Sequence, residues 1–332
     1  MAMPSPSRRS ACSPRAGLSS RRGFTLLELL VTIAIMAGLT ALLMPAIAAV
    51  REAGRRHTCA SNLQNLSRAV LNHLQSKGSF PPGLHQKLFK EAPVYRGTTW
   101  IVRMLPYLDQ NTLYSEWDFE DPLKNTDGGD GARTAMRFNW LRCPSDTLNT
   151  ELANDGRWTY ALTSYGGNGG TRSYFPSSAI TNGIFHTTGP GSEPKKEQRP
   201  VMQVEVTDGL ENTVLLGERD HYDIAFEEFA TSGGGPPLNS WGWWAASGGR
   251  RSIGHITLSA AAPINYRHPL GNRSDVRDNA PYYSDLRLTA FGSRHPGGAN
   301  FAFAGGSVRF LNESMGLAEL QALCTRNGGT GK

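Results

Sequence analysis

The chain has 332 residues, a formal net charge of +6 and a pI near 9.2, values that on their face suggest nucleic-acid binding. The charge distribution excludes that class: the first 23 residues hold five arginines and no acid, which leaves +1 for the other 309. A mean hydropathy of −0.38 excludes a polytopic membrane protein, and four widely spaced cysteines exclude both a disulfide-dense scaffold and a CxxC-type metal site.

After the Arg-rich leader, residues 24–50 (FTLLELLVTIAIMAGLTALLMPAIAAV) form a 27-residue run with one charge, Glu28. A bilayer needs about 20 such residues. Three readings compete. The run suits a plain signal anchor. It also suits a cleaved export signal, with Arg21-Arg22 as a twin-arginine pair and Ala46-Ile47-Ala48 as a peptidase site. The third is a prepilin signal: a basic leader ending in Gly23, cleavage before Phe24, and Glu28 as the fifth mature residue. Glu28 separates them. A carboxylate in an apolar segment costs about 2.5–3.5 kcal/mol at mid-membrane, so a plain anchor has no reason to keep one. A pilin-type helix has a partner for it in the first-residue amine of a neighbouring subunit.

Helical periodicity continues beyond the apolar run. Cys59, Leu63, Leu66, Val70 and Leu74 fall at spacings of 4, 3, 4 and 4, one apolar stripe, and Gly78 with Pro81-Pro82 ends it. Phe24 to Lys77 as one helix would reach on the order of 80 Å. Pro45, the 22nd mature residue, should kink or open it locally because it lacks an amide donor. Pro also occurs at this point in pilin-like helices.

The rest, rich in Gly, Pro and Asn, reads as a loop-rich antiparallel β domain. Trp100–Tyr114 suggests one or two helical turns broken at Pro106. Val201–Val206, Thr213–Gly217 and His255–Leu258 are candidate strands. In HPGGANFAFAGGSVRFLN (295–312), a two-residue Gly305-Gly306 turn would pair Phe303 with Val308 and Phe301 with Phe310, placing all four on one buried face.

These landmarks together carry a resemblance: GFTLLELL, CASNLQNL, LRCPSD, SYGGNGG, NGIF, VTDGLENTVLLGER and RHPGGANFAFAGGSVRFL. The sequence resembles a large bacterial family of prepilin-type proteins with a C-terminal domain of unknown function, marked by a His, nine residues, then Asp-Gly. The resemblance spans almost the whole mature chain and implies a type IV pilin-like or type II secretion pseudopilin subunit. Its fold would be α+β, a long N-terminal helix with a transmembrane half and an amphipathic half packed on the β domain. The chain departs from the family at one place: the Asp nine residues after His295 is Gly305. Gly305-Gly306 keeps the turn but not the carboxylate.

The implied organisation is a cleaved leader (1–23), an assembly helix (24–50), its amphipathic continuation (51–80) and an exported domain (81–332). Prepilin peptidase would cut after Gly23 and methylate Phe24. Other pilin subunits, the inner membrane and the assembly machinery are the expected partners, with the N-terminus cytoplasmic, the domain exported and no nucleic acid bound. Cys59 and Cys143 could pair in an oxidising exterior or remain two buried thiols. Asp208-Gly209 reads as a turn. The acidic loop Asp118, Glu120, Asp121, Asp127 and Asp130 lacks EF-hand spacing and should be solvated, as should the charges at Glu218, Asp220, His221 and Asp223. Trp241, Trp243 and Trp244 suit burial better than ligand stacking. With no GxSxG, HExxH or Walker-type loop, neither an enzyme nor a cofactor is expected. The competing function is a membrane-anchored, exported ligand- or surface-binding protein that uses the prepilin route without polymerising.

Overall fold

The computed structural model describes residues 23–148, 151–154, 156–195, 198–231, 237–269 and 280–328. The leader before Gly23 and parts of the loops at 189–200 and 232–239 lie outside them. The chain divides into two compact units, one ending at Val50 and one beginning at Arg51.

The first unit is the apolar start of helix α1 (Leu26–Lys77). Its apolar stretch has a mean hydropathy of 2.3 and none of it is buried within the chain. By length and composition this helix can cross a membrane. Pro45 lies inside it, so the carbonyl one turn earlier, at Ala41, receives no amide from it.

In the second unit, α1 buries Cys59, Leu63, Leu66, Val70 and Leu74 together with Ser67, Ala69 and His73. The stripe read from the 3.6-residue period is therefore its core face. It packs on a five-stranded sheet and the segments around it. The strands that build the sheets, in chain order, are β1 (Leu84–Leu88), β2 (Tyr95–Thr99), β3 (Leu152–Asn154), β4 (Thr159–Ala161) and β5 (Tyr165–Asn168), then β6 (Thr187–Thr188), β7 (Val214–Glu218), β8 (Thr257–Leu258), β9 (Gly298–Phe303) and β10 (Val308–Asn312). The main sheet runs β10-β9-β7-β5-β8, antiparallel except for the β5–β8 pair. A smaller sheet, β2-β1-β6, and the β3-β4 ribbon flank it. The architecture is α+β.

Both faces of the main sheet are covered, and β9 is buried at every position. One core joins Leu216 and Ala302 to Leu63, Leu66 and Val70 of α1. The other joins Val214, Phe301 and Phe303 to Leu320 and Cys324 of the helix Leu317–Cys324. Gly167 in β5 serves the packing directly, since a Cβ there would come within 2.6 Å of the Phe185 ring.

Three local expectations are corrected. Val201–Val206 is not a strand but holds a 3-10 turn at Gln203–Glu205. The Glu205 carboxylate accepts the Met202 amide at 2.7 Å and pairs with Arg199, so side-chain bonds take the place of a ladder. At His255–Leu258 only Thr257–Leu258 is strand; His255 belongs to the helical turn Ser252–Ile256 and is sandwiched between the Trp241 and Trp243 rings, at 3.8 and 3.9 Å. The hairpin is out of register by one: Val308 pairs with Ala302, and Phe310 with Asn300. The Gly306 amide bonds to the Phe303 carbonyl, the Phe303 amide to the Ser307 carbonyl, and Gly306 has φ +98°. This is a type I turn with a glycine bulge, which uses one residue more than a two-residue turn. Phe301 and Phe303 therefore face one core, while Val308 turns with Ala302 toward the other.

Candidate functional site

Gly23 and Phe24 precede α1 in non-helical backbone; nothing lies near Gly23, and Phe24 is 79% exposed. The Glu28 carboxylate accepts both the Thr25 amide and the Thr25 hydroxyl at 2.9 Å, and Thr25 Oγ1 accepts the Glu28 amide at 3.3 Å. The pair forms a capping box that satisfies amides at the helix start. Glu28 thus has a role within its own chain besides any between subunits.

The densest site in the second unit is assembled from four distant landmarks. Cys59 on α1 and Cys143 form a disulfide across a sequence separation of 84. His295 sits against it, its Nε2 at 3.4 Å from both Cys143 Sγ and Glu218 Oε1. Its Nδ1 lies 2.6 Å from Glu52 Oε1. Each carboxylate is fixed in turn. Glu218 accepts the Asn300 amide at 2.6 Å and the Asn300 side chain at 3.1 Å; Glu52 accepts from Arg55 and the Ser145 hydroxyl.

Burial alone would pull His295 below its ordinary pKa, but Glu218 and Glu52 outweigh it and hold the imidazole above. Burial likewise opposes ionisation of Glu52, and His295 with Arg55 outweighs that, leaving the carboxyl below its ordinary value. Ligand atoms of Cys59, Cys143, Glu218 and His295 lie within 4.8 Å of one another. With both sulfurs in the disulfide, the group offers a metal one imidazole and one carboxylate. Its evident work is mechanical: a covalent link and an ion-paired chain fasten residues 51–77 to the β domain. Asn62 adds to this by donating to the Arg142 carbonyl at 3.0 Å and to Tyr165 Oη at 3.2 Å.

The family described as Protein of unknown function (DUF1559) matches residues 48–318, most of the chain. The chain belongs to the DUF1559 family. The Prokaryotic N-terminal methylation motif matches residues 18–44, so this family domain follows a pilin-type N-terminus. No curated protein and no solved structure matches the chain.

The turn of the DUF1559 hairpin lies at the opposite end of β9 from His295, so Gly305 takes no part in the His295 cluster. A Cβ at Gly305 would come within 2.0 Å of Glu211 Oε1. That carboxylate also accepts the Ser307 hydroxyl at 3.2 Å and lies 3.6 Å from Arg309. The space for a side chain at 305 is thus filled by the carboxylate of Glu211. Asp208 accepts the Gly328 amide, and Gly209 has φ +92° within the turn.

Glu218, Asp220, His221 and Asp223 are buried rather than solvated. Asp223 pairs with Arg287 at 2.8 Å, Asp220 with Arg267 at 2.8 Å, and His221 Nδ1 lies 2.6 Å from Asp146. In the acidic loop, Asp121 pairs with Arg96, Asp118 with Lys124 and Glu120 with Lys87. Trp241 and Trp244 are buried, and Trp243 stacks on Tyr160 at 4.3 Å.

Sequence reasoning missed Glu52 and Glu218 as the partners of His295. Glu52 left a usable trace, because it stands seven residues before Cys59 and two helical turns place both on one face. Glu218 left none.

Proposed function

We propose that this protein is a structural subunit of a type IV pilus or a type II secretion-like filament. Prepilin peptidase cuts it after Gly23 and methylates Phe24; the helix then anchors it in the inner membrane with its domain exported and joins it to other subunits. The observation that carries this reading is the methylation motif running directly into a helix whose Leu, Ile and Met side chains find no cover within their own chain. The Cys59–Cys143 disulfide in the second unit supports it as well, since such bonds persist in oxidising compartments. In the filament Glu28 would exchange its Thr25 partners for the amine of a neighbouring Phe24. The subunit performs no chemistry and is itself the substrate of the peptidase.

N-terminal sequencing of the membrane-extracted protein tests the processing step: methyl-Phe24 is expected, and a start at Ala49 overturns it. Glu28→Ala tests assembly and should abolish filaments while leaving the domain folded. Recovery of the wild type only as dispersed monomers, with the assembly machinery present, would favour the non-polymerising binding protein instead.

A further inference from the structure

A cavity of about 600 Å³ opens beside the end of α1 in the second unit. Among the described residues its wall carries the basic side chains His73, Lys77, His85, Arg103 and Arg199, and no acidic one. Arg199 is neutralised by Glu205, with contacts of 2.9 and 3.2 Å. Arg103 is not. Among the described residues it makes no ion pair and donates no hydrogen bond, and its Nε is fully buried without a partner. Burial, and after it the Arg103 charge, holds both His73 and His85 below their ordinary pKa values, so one guanidinium field covers both rings.

Arg103 is half-buried: its Nε is cut off from water without an acceptor while the rest of the guanidinium faces the cavity, and a cation held this way favours a counter-ion beside it. Among the described residues no carboxylate reaches Arg103, and a concave space lies where one could enter. The remaining wall indicates what else enters with the anion. Pro82, Pro190 and Pro200 offer small apolar ring faces, while Ser79, Thr188 and Gln198 offer hydroxyl and amide groups. The space is far larger than a lone phosphate and within the range of pockets that enclose small organic ligands. We infer that the cavity binds an anionic sugar unit, its phosphate or carboxylate on Arg103 and Lys77 and its ring against the prolines. This goes beyond the filament reading and does not depend on it.

The test uses the full chain in an uncharged detergent and follows thermal unfolding and calorimetric binding. The probes are glucose 6-phosphate, glucuronate, glucose and inorganic phosphate, with chloride at matched ionic strength. At least one sugar acid should stabilise the protein saturably, and which one does tells phosphate from carboxylate. Glucose and chloride should not. Arg103→Met should weaken that binding by about tenfold or more, the worth of one charge-assisted hydrogen bond. The ligand-free variant should melt no lower than the wild type, because among the described residues Arg103 makes no ion pair or hydrogen bond that the substitution breaks; a merely structural arginine would lower it. Should Arg103→Met fail to fold, Lys77→Met must weaken binding in its place. Stabilisation by inorganic phosphate alone, binding unchanged in the variants, or no binding by either sugar acid would overturn the inference.

Discussion

His295 is buried and His186 half-buried, and they are shifted in opposite directions. Glu218 and Glu52 hold His295 above its ordinary value once folded. Its contribution is therefore complete below about pH 6.5 and is lost as pH rises through the higher folded value. Burial lowers His186 to about 4. The unfolded chain takes up a proton near pH 6.5 that the folded chain refuses until about pH 4, so acidification across that interval costs up to about 3 kcal/mol. Urea unfolding followed against pH should show both slopes. His295→Gln should remove the alkaline one, and His186→Phe should flatten the acidic one. Gly305→Asp should destabilise the hairpin by about 1–3 kcal/mol, because it forces a second carboxylate against Glu211. Adding Glu211→Gly should restore much of that loss, and the double-mutant cycle measures the coupling. Residue-scale legibility was uneven. The methylation motif that contains Gly23, Phe24 and Glu28 was readable because it lies in adjacent residues. Glu218, Asp220 and Asp223 look like solvated charges until Asn300, Arg267 and Arg287 arrive from far along the chain.

The lower half of α1 is an element whose period announces its buried face, yet its attachment to the domain does not show in any period. Cys59–Cys143 closes a long loop and should contribute roughly 2–5 kcal/mol. Cys143→Ser should lower the denaturant midpoint accordingly, and the oxidised wild type should weigh two hydrogens less than the reduced chain. Leu63→Ala, in the middle of the stripe and fully buried, should cost about 2–5 kcal/mol. The β9–β10 hairpin shows where sequence reading stops. Alternating Phe and Val established two strands and a Gly-Gly turn, but the register depended on Gly306 adopting a positive φ within a bulge. Two-residue and three-residue turns share that composition, and a slip of one residue moves every side chain to the other face. Val201–Val206 failed for a related reason, since alternation cannot foresee that Glu205 will bond back to Met202.

At the scale of the whole molecule, the two units have opposite relations to their surroundings. Among the described residues, the second unit buries most of its large apolar side chains within its own cores. The first leaves fifteen large ones bare between Phe24 and Val50. At roughly 1.5–3 kcal/mol for each side chain once covered, the cost of leaving them in water is on the order of 20–40 kcal/mol. On the filament function proposed above, a free aqueous subunit would be too rare to be an intermediate in growth. Each subunit would pass from lipid to neighbours in one concerted hand-over, each lost contact replaced as it breaks. A shrinking filament would return its subunits to the bilayer by the same route. The membrane would then serve as a reservoir whose occupancy sets how fast such a filament can lengthen.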